Sequence, residues 1–354
     1  MAEFRSLTTS EQIAAHLRAE MTSGKIRGLM PGVLRLETEL GVNRKTVQTA
    51  MLQLEKEGLL LAQGAGRRRL IQMHQPLAPP SLRVAILAGE PADLKLDYLI
   101  ELDHKLGKAG FTPVYPPKCM DDLRMDLGRI ARMVTHTEAD AWVVMAAPRE
   151  VLEWFAGQSL PSIAMFGRRR GLPIAAVGPD KRPAYAALTR KLIEMGHRRI
   201  VLLARTRRRL PEPGAVEQVF LDELAAHGLP VNKYNLPDWD DTVAGFHRRL
   251  ESLFQITPPT ALIVDEAPHF NAVLHFCAMR GIRVPDDISL ISTDADPAFA
   301  WCKPPISHIH WDSRPVVRRI LRWAENVSRG KEDLRQTLTP AEFLPGGTIG
   351  PAPR

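Results

Sequence analysis

Two groups of side chains in this 354-residue sequence could do chemistry, and they lie in different parts of the chain. The first is the stretch GVNRKTVQTAMLQLEKEGLL (41–60), which places Asn, Arg, Lys, Thr and Gln at the start of a helical apolar stripe. Arg and Lys pair with guanine, Gln with adenine, and Thr contacts a phosphate or the thymine methyl group. The stretch therefore either contacts DNA or is the solvated face of an ordinary amphipathic helix.

The surroundings of this stretch favour DNA. Its apolar stripe leaves Arg44, Lys45 and Gln48 facing away from the core. Asn43 is expected to cap the helix, whose first N–H groups suit a phosphate. A glycine-tipped hairpin with arginines follows, and Arg is favoured in a narrow minor groove. The predicted DNA contacts are Arg35, Asn43, Arg44, Lys45, Thr46, Gln48, Gly64, Gly66, Arg67 and Arg68.

The charge distribution separates a basic head from a nearly neutral body. Residues 1–73 hold 11 Lys or Arg against 7 Asp or Glu, a net +4. The remaining 281 residues hold 36 against 33, a net +3. A small basic head favours a polyanionic partner, although a solvated surface would also account for the charge.

Several classes of protein are disfavoured by composition. There is no apolar run of the roughly 18 residues that a membrane span needs, and MAEFRSLTTSEQ has no apolar signal-peptide core. Cys119, Cys277 and Cys302 form no Cys-x-x-Cys pair, which favours a reduced cytoplasm. His308 and His310 lack a third metal ligand nearby. We expect no membrane segment, no metal and no cofactor.

The pattern along the chain predicts three regions. Residues 1–73 indicate three helices and a hairpin, with a capping box of Thr9 and Gln12 at the first helix. Three prolines in MHQPLAPPS indicate a linker over 74–82. Residues 83–354 alternate apolar strands with helices, which is typical of parallel sheets covered on both faces. We predict an α/β body of two lobes, the first about 83–172 plus part of 305–330, the second about 173–304 plus 331–354.

The second chemical group lies in this body. In open parallel sheets, ligands bind beyond the carboxyl ends of the strands. Two runs of arginine follow such strands, which suggests an anionic or polyhydroxylated ligand. Exposed loops would equally explain the arginines, and Asp294 could simply cap a turn. The candidates from strand ends are Glu90, Asp93, Arg168, Arg207, Asp265, Glu266 and Asp294.

Residues 40–71 resemble the winged helix-turn-helix of GntR-type repressors. The resemblance rests on LGVNRKTVQTAMLQLEKEGLL followed by the glycine-rich QGAGRRRLI. It implies that Arg44, Thr46 and Gln48 occupy recognition-helix positions and that the hairpin is the wing. Family members commonly carry Arg where Gln48 stands, which implies a different base preference.

Residues 83–354 resemble the effector-binding domain of LacI/GalR-type regulators, which has a periplasmic-binding-protein fold. The matching segments are VGPDKRPAYAALTRKLIEMGHRRIVLL (177–203) and GIRVPDDISLISTDADP (281–297). The resemblance implies a ligand cleft between two lobes and places Trp239 where the family often stacks an aromatic ring on its ligand. Trp239 could instead belong to the core.

Together the two resemblances imply a homodimeric transcriptional regulator that binds an operator in double-stranded DNA and acts as a repressor. A small-molecule effector is expected to control this binding. Two alternatives remain open. The body could only dimerise, or it could be an α/β sugar-processing enzyme with a DNA-binding head. The sequence contains no Gly-x-Ser-x-Gly, Walker, Gly-x-Gly-x-x-Gly or His-Glu-x-x-His motif, which argues against an enzyme.

Overall fold

The computed structural model describes residues 8–22, 26, 28–64, 67–72 and 82–353. The chain divides into two compact units, residues 1–80 and 81–354, which we call the head and the body. The predicted linker over 74–82 lies outside the described residues except for Leu82. Among the described helices, none combines the length and the apolar character that crossing a bilayer requires.

The head contains three helices and a two-stranded antiparallel hairpin, as predicted. The helices are α1 (Thr9–Thr22), α2 (Val33–Leu40) and α3 (Arg44–Lys56), and the strands are β1 (Leu60–Leu61) and β2 (Leu70–Ile71). One apolar cluster joins them, because each helix buries a single stripe. The fully buried members include Leu17, Met30, Val47, Ala50 and Leu54.

The start of α1 differs from the prediction by one residue. The capping pair is Thr8 and Glu11: the Thr8 N–H donates to the Glu11 carboxylate at 2.7 Å, and the Glu11 N–H donates to Thr8 Oγ1 at 3.4 Å. The predicted box of Thr9 and Gln12 is therefore wrong, since a charged carboxylate accepts more strongly than an amide. The turn between α2 and α3 begins at Gly41, which ends α2 in the left-handed conformation with φ +64°.

The body is built on ten strands, nearly all parallel to their neighbours. They are β3 (Arg83–Leu87), β4 (Thr112–Val114), β5 (Ala141–Met145), β6 (Ser162–Met165), β7 (Ala175–Asp180), β8 (Ile200–Leu203), β9 (Ala261–Val264), β10 (Ser289–Ser292), β11 (His308–Trp311) and β12 (Gln336–Leu344). Their order is β4-β3-β5-β6-β7-β12-β11-β10-β9-β8, and only β11 and β12 pair antiparallel. The parallel α/β fold class is confirmed.

Helices cover both faces of these strands and define two lobes. The helices are α4 (Asp97–Lys108), α5 (Leu127–His136), α6 (Arg149–Ala156), α7 (Arg182–Glu194), α8 (Thr206–Arg209), α9 (Ala215–Ala226), α10 (Val243–Ile256), α11 (Ala267–Met279) and α12 (Ser313–Ser328). Lobe 1 comprises β3–β7 with α4, α5, α6 and α12, and lobe 2 comprises β8–β11 with α7 to α11.

Strand alternation gives each lobe two cores. In β3, Val84 and Ile86 pack under α4 and α12, whereas Ala85 and Leu87 pack under α5 and α6. The same alternation divides β8 between the two faces of lobe 2. Strands buried on both faces must be apolar at every position, which explains the continuous apolar runs in the sequence.

β12 connects the lobes. Its residues 336–340 pair with β7, and residues 341–344 pair with β11. Because β7 pairs with β6, the chain leaves lobe 1 only after Asp180, later than the expected boundary at 173. The carboxyl ends of β3, β5 and β6 in lobe 1 and of β8, β9 and β10 in lobe 2 carry the loops that make the cleft described next.

Candidate nucleic-acid interface and ligand cleft

The first turn of α3 is a capped helix start with free polar side chains. Asn43 Oδ1 accepts the Thr46 N–H at 2.9 Å and the Thr46 hydroxyl at 2.8 Å. Both polar side chains thus fix the cap. Arg44, Lys45 and Gln48 are exposed, and within the described head they form no side-chain hydrogen bond or ion pair. These three side chains are available to a ligand in the geometry that major-groove recognition uses.

The hairpin next to α3 divides its arginines between two roles. Arg67 and Arg68 are exposed, and Gly64 has φ +106°, a turn conformation that favours glycine. Arg69 is half-buried and pairs with Glu55 on α3, so it holds the hairpin to the helix. Gly66 lies outside the described residues.

Arg35 is less available than the sequence suggested. It lies on the exposed side of α2, but its Nε is 2.7 Å from Glu39 Oε1, one helical turn away. A surface pair at this spacing contributes little energy and exchanges readily. Arg35 therefore enters any DNA contact only by exchanging Glu39 for a phosphate.

In the body, the loops after the strands bring opposite charges of the two lobes together. Glu90 of lobe 1 lies with both carboxylate oxygens 3.0 and 3.2 Å from Arg205 Nη1 of lobe 2. Arg205 also contacts Glu266 at 3.2 Å and Asp241 at 3.2 Å. Arg207 Nη2 is 2.7 Å from Glu266 and 4.0 Å from Glu90. We call Glu90, Arg205, Arg207 and Glu266 the cleft ion cluster.

The cluster perturbs the ionisation of its members. Burial alone would lower the pKa of the Arg205 guanidinium, but the surrounding carboxylates outweigh burial and raise it above its usual value. Burial would raise the pKa of Glu266, whereas Arg207 and Arg205 lower it below its ordinary range. Arg205 and Glu266 are therefore both charged at neutral pH, and they form an ion pair.

Arg168 spans the cleft in another way. Its guanidinium extends from lobe 1 and donates to the backbone carbonyls of Arg207 at 3.0 Å, Arg208 at 2.7 Å and Glu212 at 2.7 Å in lobe 2. The candidate ligand arginine is thus occupied by the chain itself. It holds the loop that carries Arg207 against lobe 1.

Behind the cleft ion cluster lies a buried polar group on lobe 2. Asp265 is 1% exposed, accepts from the Thr293 hydroxyl at 3.1 Å, and lies 2.7 Å from Arg208 Nε. Glu217 is also buried, and within the described residues its Oε1 has no hydrogen-bond partner. Burial raises the pKa of Glu217 to about 7, against the opposing charge of Arg208. Asp265 is therefore a buried residue that holds Arg208 and Thr293 behind the cleft, and it does not line the cleft.

Two further candidates have local roles. Asp93 accepts the backbone N–H groups of Gly89 at 2.9 Å and Glu90 at 3.0 Å, so it shapes the loop that presents Glu90. Asp294 pairs with the ammonium of Lys181, which also donates to the Thr293 carbonyl at 2.9 Å. Both carboxylates are therefore already bound by groups of this chain.

Trp239 lies largely in the core, unlike the ligand-stacking ring that the resemblance implied. Its side chain is 7% exposed, its Nε1–H donates to the Ala204 carbonyl at 2.9 Å, and its ring packs 5.1 Å from Phe246. It is largely buried in the core of lobe 2, and with Thr206 and Asp241 it lines a groove on that lobe. The aromatic rings beside the cleft include Tyr98 and Phe166 of lobe 1 and Trp311 at the end of β11, with centroids 5.5 to 6.0 Å apart.

The backbone carries strain at the same place. Ala146, Phe166 and Glu266 have φ of +48°, +66° and +64°, and each follows a strand whose carboxyl end faces the cleft. Non-glycine residues in this region cost free energy and concentrate at ligand-binding sites. The strain therefore marks the strand ends independently of the charges.

Sequence reasoning missed several participants. Arg205 stands in the same arginine run as Arg207, but nothing local distinguishes it as the partner of Glu90. Lys181 and Tyr98 carry no motif. Burial raises the pKa of Tyr98, and the charges of Asp93, Asp294 and Glu266 raise it further.

Comparisons with known proteins agree with this architecture. The family described as bacterial regulatory proteins, gntR family, matches residues 9–67, and a periplasmic binding protein-like domain matches residues 189–349. The HTH-type transcriptional regulator RafR of Escherichia coli is 28% identical over 239 residues, covering 65% of this chain and 69% of RafR.

Solved structures show the fold of the body. A LacI family transcriptional regulator from Enterococcus faecium with bound ribose superposes with a TM-score of 0.61 at 15% identity, over 76% of this chain and 99% of that one. The Lac repressor dimer bound to operator and the anti-inducer ONPF gives 0.60 at 14% identity, over 77% and 96%. The chain thus joins a head that matches the gntR family model of bacterial regulatory proteins to a body that matches a periplasmic binding protein-like domain and shares its fold with LacI-family structures.

Proposed function

We propose that this protein is a transcriptional regulator whose head binds an operator in double-stranded DNA and whose body controls that binding through a small-molecule effector. The observation that carries the proposal is the first turn of α3. Arg44, Lys45 and Gln48 project there without internal partners in the described head, and Arg67 and Arg68 are exposed on the adjoining hairpin. Since a repressor is among the structures of the same fold, we propose repression as the mode of action.

We propose further that it acts as a homodimer in the cytoplasm, where its DNA target is. Helix-turn-helix proteins commonly bind two half-sites related by the symmetry of a dimer. The Lac repressor of the same fold is a dimer on its operator. An apolar patch on lobe 1, formed by Leu94, Leu96, Ile100 and Tyr115, is 37 to 57% exposed and supports a subunit contact there.

The effector is proposed to bind where the strand ends of both lobes meet. The Enterococcus faecium regulator holds ribose. In this chain, the aromatic rings of Tyr98, Phe166 and Trp311 and the charged cluster lie at that edge of the sheets. Rings supply apolar contact and charged groups supply directed hydrogen bonds, the combination that a polyhydroxylated or anionic ligand requires.

The proposal is tested by selecting bound sequences from randomised duplex DNA at two salt concentrations. An enriched inverted repeat would establish a dimeric, sequence-specific regulator and would supply the operator. Binding that is blind to sequence and lost at high salt would show that the head only anchors the protein to DNA, since phosphate contacts alone carry no sequence information.

A second function is favoured by one observation: the arginines at the cleft are already engaged by Glu90, Glu266 and backbone carbonyls. A body closed on itself could serve only to dimerise. Effector screening by thermal shift, with the operator present and absent, separates the two functions. The relatives reported above are transcriptional regulators, and we propose accordingly that the chain acts as a regulator.

A further inference from the structure

The cleft ion cluster crosses from one lobe to the other through a single carboxylate. Glu90 is the lobe 1 member, and Arg205, Arg207 and Glu266 all belong to lobe 2. Arg207 also reaches lobe 1 itself: a Cβ at Gly89 would lie 3.6 Å from its Nη1. Two guanidinium groups of lobe 2 are therefore directed at a carboxylate supplied by lobe 1.

Glu90 and Glu266 hold these arginines in different ways. Glu266 immediately precedes α11 and has a strained backbone with φ +64°, and it lies on the same lobe as the arginines. Glu90 begins a short 3-10 turn (Pro91–Lys95) on the opposite lobe, and its side chain is 24% exposed, more than Arg205 at 13% or Arg207 at 18%. Of the two carboxylates, Glu90 is the one that can leave without disturbing lobe 2.

The place that Glu90 occupies fits a free acid group. Guanidinium bonds carboxylate and phosphate oxygens in the same planar geometry. Asp241, another partner of Arg205, also lines an open groove of about 670 Å³ on lobe 2. Without Glu90, Arg205 keeps Glu266 and Asp241 as partners and Arg207 keeps Glu266, but the hydrogen-bonding positions that Glu90 fills on Arg205 are left open.

We propose that Glu90 is an internal stand-in for the effector, and that the effector is a small oxyanion whose carboxylate or phosphate group exchanges with Glu90 on Arg205 and Arg207. This proposal rests on the function proposed above and names its ligand class. A neutral sugar could accept hydrogen bonds from these arginines through its hydroxyl groups, but it would not replace the charge of Glu90. Exchange also removes one of the contacts that hold the lobes together, so the anion loosens the closed body.

The test measures binding of inorganic phosphate, succinate and ribose to the full chain by isothermal titration calorimetry. Glu90→Gln removes the competing charge and keeps the shape, and we expect it to bind phosphate or succinate at least about tenfold more tightly than the wild type, with ribose unchanged. Glu138→Gln is the matched control: it removes the same charge from lobe 1 at a side chain 88% exposed, beside Arg83 at the opposite end of β3.

Two more variants keep the test decisive. Glu90→Asp keeps the charge on a shorter side chain, so its anion affinity should fall between those of the wild type and Glu90→Gln even if the amide variant folds poorly. Arg207→Gln should abolish the gain when it is added to Glu90→Gln. Equal anion affinity in the wild type, Glu90→Gln and Glu138→Gln, or a gain for ribose alone, overturns the proposal.

Operator binding by the same samples separates this inference from the function on which it rests. If Glu90→Gln retains operator affinity but gains no anion affinity, the regulator stands and the anionic class is wrong. If the anion binds more tightly but never changes operator affinity, the exchange at Glu90 is real and control of DNA by this site is wrong. If the wild type binds no operator at all, the proposed function itself is wrong.

Discussion

Arg44 is the side chain on which the DNA-binding proposal depends most directly. It begins α3, it is exposed, and its position next to the Asn43 cap directs it away from the head core. A base-contacting arginine typically contributes about 1–3 kcal/mol and relaxes specificity at its base when removed. We therefore expect Arg44→Ala to weaken operator binding by roughly ten- to a hundredfold.

Lys56→Ala provides the control for Arg44, because it removes one positive charge from the exposed last turn of the same helix. Fluorescence anisotropy with labelled operator over a series of salt concentrations would measure both variants. If Lys56→Ala weakened binding as much as Arg44→Ala, with the same salt slope, general electrostatic attraction rather than recognition would explain the affinity.

Glu217 gives a prediction about pH. Its folded pKa of about 7 lies above the ordinary value of 4.5, so the folded protein holds a proton that the unfolded chain releases. The stabilising contribution of Glu217 is therefore fully present below pH 4.5, is lost as pH rises from 4.5 to about 7, and stays lost above that. Glu217→Gln removes this penalty, and we expect a higher melting temperature at pH 8, with the gain shrinking as pH falls towards 4.5.

The expected gain in the Glu217→Gln variant is several degrees, since 1 kcal/mol shifts a domain of this size by roughly 2–4 °C. Asp222→Asn, an exposed position on the same helix α9, should show no such pH-dependent difference. Differential scanning calorimetry at pH 5, 6.5 and 8 measures this. A gain that is constant across pH would mean that Glu217 is not the titrating group.

At the scale of elements, α4 carries the surface that the dimer proposal requires. Leu96, which immediately precedes α4, and Ile100 lie one turn apart and are exposed, and the Tyr115 hydroxyl donates to Asp103 on the next turn at 2.8 Å. A charge placed in a buried subunit contact has no partner and is strongly unfavourable. We expect Ile100→Glu to shift the protein from dimer to monomer and to lower operator affinity with it.

Sedimentation equilibrium gives the mass of the Ile100→Glu variant. Ile256→Glu is the matched control, since Ile256 is 79% exposed at the end of α10 on lobe 2. If Ile100→Glu remained a dimer with full operator affinity, the patch on lobe 1 would not be the subunit contact. The helix itself should stay folded in either case, because Leu99, Leu102 and Leu106 form its buried face.

At the scale of the whole body, the two lobes are held by the chain's own groups as well as by β12. Arg168 alone makes three hydrogen bonds across the cleft. Hydrogen bonds to a charged donor contribute about 1.5–3 kcal/mol when measured singly. We expect Arg168→Ala to open the cleft and to lower the free energy of unfolding of the body by about 2 kcal/mol or more.

Small-angle X-ray scattering of the full chain would report the opening as a larger radius of gyration. Arg170→Ala is a suitable comparison, because the Arg170 side chain is exposed. The backbone carbonyl of Arg170 accepts a hydrogen bond from Arg149, and the substitution leaves that carbonyl in place. Identical scattering from the wild type, Arg168→Ala and Arg170→Ala would show that these hydrogen bonds do not hold the lobes closed.

Local physics made much of this protein predictable from its sequence. The head follows from features within a few residues of one another: the Asn43 cap, the glycine turn at Gly41 and the stripe from Val47 to Leu54. The parallel body follows from apolar strands separated by helices, because strands covered on both faces cannot alternate. The family resemblances of both parts rested on the same contiguous segments.

The tertiary structure alone decided which charges meet at the cleft. Glu90 and Arg205 are 115 residues apart, and Arg168 lies about 40 residues from the carbonyls it binds. Trp239, expected to be open to a ligand, is buried because the packing of α10 and α11 encloses it. Helix caps and strand patterns act over a few residues and are visible in sequence, whereas these contacts depend on how separate loops converge at the edges of two sheets.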